Sequence, residues 1–457
     1  MKHFRSLWIP LILVLITLGC PPAICSAEPA WKAGLARRNI TPTEPLWLSG
    51  YGSRDHTSEG TRLPLWGKVL ALESADGQRA MIISLDVVGL DRETAQQVRQ
   101  ELQAKAGIQA DRIAICSSHT HTGPVVGRNL DTMYFFSAEE GAKIQRYTRR
   151  LQEHLIQAGE EAVRNLTTAH LSWGVGWENF GVNRRNNPEP LVRAHRAAGK
   201  LRGPVDYDVP ILRITDAQDQ LTALIFGYAC HATVLDDYLF SGDYPGFAQA
   251  ELERRHPGVQ AMFLAGCGAD INPLPRRTPE LAEQYGRRLA DAVDRGTEGV
   301  LTSLSPRLEM QRIEIDLPYD TLPSKDTLLE KVKSTDKYVV AYAKKMLRQL
   351  DSQGALPKSY PYPLSVWRLG GNLTWIALGG EVVVDYSLRL KRELGSGTWV
   401  SGYSHDVMAY IPSRRVWDEG GYEGGGAMIY YGLPTRWASD AEERIIEAVK
   451  RLTTGVR

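Results

Sequence analysis

Cysteine is scarce in this chain. It has five, and two of them, Cys20 and Cys25, fall within the first 27 residues, which leaves Cys116, Cys230 and Cys267 far apart. Three widely spaced cysteines build no disulfide framework, and each reads as a small buried residue. An excess of one charge is also missing. The 54 basic residues stand against 53 acidic ones, a net charge of +1. With no basic stripe and no polybasic tail, that balance excludes nucleic acid as a partner. Beyond the leader no apolar run reaches the ~18 residues that a transmembrane helix requires. No internal repeat and no low-complexity tract is visible.

The first residues carry Lys2 and Arg5, then the short apolar run "LWIPLILVLITLG", then small residues up to Ala27. That order is the signature of a secretory signal peptide over residues 1–27, cleaved after Ala27, and it predicts an exported protein, periplasmic or secreted. A second processing route competes with it. "TLGC" ending at Cys20 resembles a lipoprotein box, with Thr17 departing from it. The remaining chain is long enough for one large domain or two ordinary ones, and its 43% hydrophobic content suits a sizeable core.

Strands and helices alternate along it. "GKVLALES" and "QRAMIISLDVVGL" flank "ADG", a hairpin signal. Similar hairpins are expected around "AQDQ" and around Gly370–Gly371. "ETAQQVRQELQAKAG" and "AEEGAKIQRYTRRLQEHLIQAGEEAV" read as amphipathic helices. Residues 324–350 read as one or two helices with a break at Ser334–Asp336. Residues 183–205 form the one long irregular stretch, a length usually functional or disordered. Hairpins mixed with βαβ-like alternation predict an α/β fold, with mixed parallel and antiparallel sheets flanked by helices in a single large domain over 31–457.

Polar, metal-competent residues follow three of the apolar strands. His119 and His121 come after "IAIC", His231 after "LIFGYAC", and Glu381 after "TWIAL". Crevices beyond the carboxyl ends of strands are where α/β sheets bind ligands. An i, i+2 pair on extended backbone points to one face, so His119 and His121 can share a metal, or one can bind while the other handles protons. Glu381 is costly to bury unless paired or metal-bound. It also sits where a helix is expected to begin near residue 382, a position that favours a plain glutamate. Asp243 and Asp270 read either as caps or as groups that orient an imidazole. Cys230 and His231 are adjacent on a strand and face opposite ways, which argues against a Cys–His nucleophile.

Six stretches then resemble, in order, those of the neutral/alkaline non-lysosomal ceramidases. "SSHTHTGP" resembles their "THTHSGP", and "GVNRRNNP" their "NRSxxxxxNP". "YACHATVLDDYLFSGDYPGFAQ", "GCGADINP" and "LGGEVVVDYSLRLKREL" resemble "FAVHPTSM…SDNKGYA", "NVGDVSPN" and "PGEFTTMSGRRLR". "YSHDVMAYIPSRRVWDEGGYEGG" resembles "YSNxYxxYxTTxEEYxxQxYEG". The likeness runs from Ala33 to Tyr431 and covers that family's N-terminal catalytic domain, without the C-terminal sandwich domain its enzymes carry. It departs at Ile411-Pro412-Ser413, where the family has a threonine pair, and at "HATVL".

The resemblance implies one zinc ion per chain, held by His119, His231, Glu381 and Tyr410. It places His121 beside the metal's water, and Arg184 and Tyr422 against the scissile amide. Zinc brings the pKa of bound water towards ~7, so the implied reaction is hydrolysis of a ceramide-like or other small N-acyl substrate, with His121 moving the proton. A lipid-like substrate would bring the protein to a membrane surface. Two other readings stay open at this point. One is a binuclear amidohydrolase barrel, in which H-x-H pairs also occur. The other is a family member that binds a small molecule without cleaving it.

Overall fold

The computed structural model describes residues 30–455, together with positions 1 and 3. The leader expected over residues 1–27, with Cys20 and the cleavage site at Ala27, otherwise lies outside the described residues. Among those residues, no helix is long and apolar enough to cross a membrane.

A nine-stranded sheet organises the fold. Its strands run in the spatial order Gln260–Ala265, Leu221–Tyr228, Asp208–Asp216, Thr167–Trp177, Trp31–Asn39, Trp66–Glu73, Arg79–Leu85 and Ile113–Ser117, with Thr302–Leu304 added on Thr167–Trp177. The middle pairs are antiparallel and the pair at each end is parallel. Each parallel pair needs a crossover. The helix Arg92–Ala106 supplies one, and Asp243–Arg255 the other. The hairpins read from the sequence are present, at Trp66–Glu73/Arg79–Leu85, at Asp208–Asp216/Leu221–Tyr228, and across Gly370–Gly371.

Period-two alternation builds three layers. On the strand Trp66–Glu73, Val69 and Ala71 join Leu151, Leu155 and Ala158 of the helix Ala138–Arg164 in one core. Leu70 and Leu72 join Trp367, Trp375 and Trp399 in another. Those tryptophans belong to a second sheet, ordered Leu308–Pro318, Ser359–Leu369, Leu373–Leu378 and Thr398–Ser401. Helices thus cover one face of the large sheet and the small sheet covers the other. Each leucine side chain fully buried this way stabilises the fold by about 1.5–3 kcal/mol.

Local signals set the helix ends. Ser137 and Glu140 form a reciprocal capping box at the start of Ala138–Arg164. Asp336 accepts from the amides of Tyr338 and Val339, so the expected break at Ser334–Asp336 is the cap of Lys337–Gln353. The stretch 183–205 is more ordered than its composition suggests. It contains the helix Val192–Ala197, and Asn187 Nδ2 donates to the carbonyls of Asn183 and Arg202 at 2.8 and 2.7 Å.

The large sheet also curls until its ends meet. Ser84 Oγ donates to Phe263 O at 2.6 Å, and buried Lys68 Nζ to Ala261 O at 2.8 Å, although these strands stand far apart in the spatial order. The segment that follows the small sheet's strand Thr398–Ser401 stitches the seam. Ser117 N donates to Tyr403 O and Gly402 N to Ala265 O, both at 3.0 Å. The carboxyl ends of strands from both edges therefore share one spot.

Candidate metal centre

His119 enters that spot from one edge strand, and His231 from the strand next to the opposite edge. His119 follows Ile113–Ser117 with φ 61°, in the left-handed region, and its amide donates to Val87 O at 3.1 Å. The expectation of an extended H-x-H pair is therefore corrected. A backbone reversal at His119, and not strand alternation, brings both rings to the same place. His231 follows Leu221–Tyr228, and its amide donates to Ile271 O at 3.0 Å.

Glu381 and Tyr410 arrive together. The two-residue strands Glu381–Val382 and Tyr410–Ile411 pair in parallel, with Glu381 opposite Tyr410. The helix after Glu381 begins only at Val384, so the glutamate is not a helix-terminal residue as its position in the sequence suggested. Asp270 Oδ1 accepts from the Val384 amide at 2.9 Å, and its Oδ2 accepts from Asn183 Nδ2 at 3.0 Å. Asp243 Oδ2 accepts from the Leu235 amide at 2.8 Å. These aspartates shape loops and do not orient imidazoles.

The ring nitrogens carry the chemical information. His119 Nδ1 lies 2.7 Å from Val88 O, and His231 Nδ1 lies 2.7 Å from Gly268 O. A nitrogen facing a carbonyl must hold the proton, so each Nε2 presents a lone pair. Both Nε2 atoms stand 3.1 Å from Glu381 Oε2, a buried oxygen that finds no donor. Two lone pairs and a carboxylate oxygen facing one another in a buried space repel unless a cation lies among them. The donor set, two imidazoles and a carboxylate with a phenol at the edge, fits a small divalent ion. Tyr410 Oη is 3.3 Å from His231 Nε2, and Tyr431 donates its hydroxyl to Glu381 Oε1.

His121 is held differently. Its Nε2 is 3.2 Å from His119 Nε2, and the nitrogens of His119, His121 and His231 all lie within 4.8 Å of one another, so this cluster could hold a metal ion. Its Nδ1, however, has no partner. No carbonyl fixes its tautomer, and its ring lies against Tyr51 with centroids 4.7 Å apart. Gly50 makes room for it. A Cβ there would fall 2.5 Å from the His121 ring, and φ is +93°.

A cavity of about 600 Å³ opens over the cluster, lined among others by Tyr51, His121, Arg184, Tyr410, Tyr422 and Glu423. Arg184 spans it. Its Nε donates to Glu423 Oε1 at 2.7 Å, Nη1 to Asn272 Oδ1 at 3.3 Å and Nη2 to Tyr410 Oη at 3.1 Å. Tyr422, 42% exposed, stands at the mouth with its ring 5.2 Å from that of Tyr410. All seven residues singled out in the sequence are thus brought to one site. Tyr51, Tyr403, Glu423 and Tyr431 were not singled out by role. Tyr403, whose ring centroid is 4.3 Å from that of His119, sits at φ 50°, which nothing in its neighbourhood advertises.

Known proteins share this arrangement of sequence and chain path. The family described as "Neutral/alkaline non-lysosomal ceramidase, N-terminal" matches residues 31–273. The chain belongs to that family. Neutral ceramidase A of Dictyostelium discoideum is 25% identical over 273 residues, 55% of this chain and 37% of that protein. Neutral ceramidase 2 of Arabidopsis thaliana is 24% identical over 271 residues, 56% of this chain and 34% of that protein. The matched part thus spans about a third of the length of these relatives. The crystal structure of neutral ceramidase from Pseudomonas aeruginosa superposes with a TM-score of 0.71 at 16% identity, covering 93% of this chain and 75% of that one, which shows a common fold.

In this ceramidase-family chain the matched segment holds His119, His121, Arg184 and His231, while Glu381, Tyr410 and Tyr422 lie beyond it. Burial drives the His231 imidazole down to about 4, and the Arg184 guanidinium pushes the same way. Burial also drives His121 well below its ordinary value, with His119 and His231 adding to the effect. The unfolded chain therefore binds more protons than the folded one at mildly acidic pH. The contribution of His231 to stability is fully present above about pH 6.5 and is lost as pH falls towards about 4, roughly 3 kcal/mol in all. Urea unfolding of metal-free protein across that window is expected to show wild type losing about this much relative to His231→Asn. Parallel profiles for the two proteins would contradict it.

Proposed function

We propose that the chain is an exported zinc-dependent amidohydrolase, with residues 31–457 as its catalytic unit and an N-acyl amide of ceramide type as its substrate. The observation that carries this reading is the convergence of His119 Nε2, His231 Nε2 and Glu381 Oε2 on one buried point. Export rests on the leader expected in the sequence. The ligands proposed are His119, His231, Glu381 and Tyr410, because the first two have their outer nitrogens pinned to carbonyls. His121 is left out of the ligand set because its Nδ1 is unpartnered.

Zinc in this site supplies a Lewis acid and an acidified water at neutral pH. The chain does the rest. Tyr422 and Arg184 line the cavity together with His121 and act as preorganised donors to the amide oxygen. Glu423 fixes the guanidinium so that this donation costs no reorganisation. His121, kept neutral by burial and with its Nε2 turned towards the cluster, would take a proton from the attacking water and pass it to the leaving amine. Tyr431 holds Glu381 by its second oxygen. Burial raises the Tyr410 phenol well above its usual value, so it stays protonated until a dication lies beside it.

The test is a panel of N-acyl amides and esters offered to chelator-stripped protein and to the same protein reloaded with zinc. Cleavage of an amide only after reloading is expected. Equal cleavage in both states, or none in either, would overturn the reading. The second of these, with zinc bound, is the outcome a purely binding protein would give. A two-metal barrel is disfavoured by the curled nine-stranded sheet, which is not a ring of eight βα units.

A further inference from the structure

Three main-chain carbonyls beside the metal centre point at one buried arginine. Arg54 Nη1 donates to Ser49 O at 2.7 Å and to His121 O at 2.6 Å, and its Nη2 donates to Asp237 O at 2.9 Å. The acceptors belong to separate segments. Ser49 lies in the loop after Trp31–Asn39 that carries Tyr51, His121 closes the H-x-H pair, and Asp237 lies between His231 and the helix Asp243–Arg255. Each segment borders the cavity, which Gly50, Tyr51, His121 and Thr233 help to line. Arg54 stands behind that wall and is not among the lining residues.

An arginine is a costly choice for such a place. A buried guanidinium ordinarily needs a carboxylate, yet these hydrogen bonds all end on uncharged oxygens. The Asp237 carboxylate accepts from Arg62 Nη2 instead, at 2.5 Å, and Arg54 Nε has no partner. Ring faces flank the head, with Tyr51 4.9 Å and Tyr238 5.7 Å from its central carbon. That contact eases the burial of a cation. The loops do not need the arginine to dock. Gly60–Thr61 pairs with Leu239–Phe240, Glu59 N donates to Tyr238 O at 2.8 Å, and Tyr51 Oη donates to Leu235 O at 3.2 Å. What Arg54 adds is a hold on His121. The His121 amide reaches Ala232 O at 3.2 Å and its Nδ1 is unpartnered, so the 2.6 Å bond to its carbonyl is the shortest restraint on that residue. The Tyr51 ring, which lies against the His121 ring, is faced by the same guanidinium.

Resting on the amidohydrolase reading above, we propose that Arg54 is a positioning residue, which grips the His121 carbonyl and backs the Tyr51 ring and so sets the angle at which the His121 imidazole meets the cluster. It touches neither the metal point nor the cavity and acts through His121.

The experiment is a double-mutant cycle on zinc-loaded protein, with kcat and KM measured for an N-acyl amide that wild type cleaves. Arg54→Met keeps the apolar stem and removes the donors. It is expected to lower kcat by about 10–10²-fold, the effect of misplacing a reacting group by roughly an ångström. KM is expected to stay within about threefold, and zinc at the wild-type level. In a His121→Ala background, whose residual rate is read at high enzyme concentration, the same change is expected to lower kcat by less than about twofold, because the residue it acts through is gone. Arg54→Lys restores the charge without the planar fork and is expected to recover only part of kcat. An unchanged kcat in Arg54→Met, or an equal loss in both backgrounds, would overturn the proposal. So would loss of zinc or an effect confined to KM. Failure of both Arg54 variants to fold, judged by circular dichroism, would overturn it as well, since the arginine would then hold the structure and not the histidine. Failure of the parent reading is distinct, because zinc-loaded wild type would then cleave no amide of the panel.

Discussion

His231→Ala is expected to remove the metal from the protein and to lower amide hydrolysis by roughly 10³-fold or more. The imidazole contributes one of only two nitrogens locked towards the centre by a carbonyl, here that of Gly268. Alanine leaves His119 and Glu381 facing each other across an incomplete set, too few anchors for a tight tetrahedral site. The side chain is buried, so circular dichroism must confirm that the variant folds, and His231→Gln gives a second probe of similar volume. Elemental analysis should find about one zinc per chain in wild type and almost none in either variant. His119→Ala should behave the same way. Undiminished zinc in variants of both residues would remove the basis for the proposed chemistry.

Arg184→Ala is expected to lower kcat by about 10²–10³ while zinc content stays at the wild-type level. Three directions of the guanidinium are in use, towards Glu423, Asn272 and Tyr410, and this fork holds it rigid above the cluster. A lysine has no planar fork, so Arg184→Lys should recover little of the loss. Glu423 retains Arg185 as a partner, with Arg185 Nη1 donating to Glu423 Oε2 at 2.5 Å, which limits collapse of the loop in the variant. A rise in KM with kcat unchanged would assign Arg184 to ground-state binding alone.

The histidines were legible because they follow apolar strands, and a strand's carboxyl end is where a sheet offers a crevice. His231 is the clear case. Its neighbours alternate, its strand is hydrophobic, and its position follows from that. Glu381 also follows an apolar strand, but Tyr410 was legible only through family resemblance. Their contact depends on a parallel pairing two residues long, which leaves no periodic trace. Backbone reversals were invisible as well. His119, Tyr403 and His405 all have positive φ, yet none is glycine or asparagine, and only tertiary contacts hold them there. Tyr431 gave no signal, because a tyrosine at the end of a short helix reads as core until its hydroxyl is seen on Glu381. The hairpins, the capped helices and the mixed sheet could be read directly, since each follows from local turn chemistry and alternation. The curl that joins the two edges of the large sheet could not, because it rests on pairs such as Ser84 with Phe263, nearly two hundred residues apart.

That curl makes the seam between Ser117, Ala265 and Tyr403 more than a scaffold. A cation seated where His119 and His231 meet would join two margins of one sheet that are otherwise tied by the side-chain bonds of Ser84 and Lys68 and by the main-chain bonds of the seam. Ligation and closure then become a single thermodynamic event, so the ion acts as a rivet for the whole architecture. Any force that springs the rivet, whether a proton or a competing chelator, unlatches the ring of strands at the same place where the chemistry would occur.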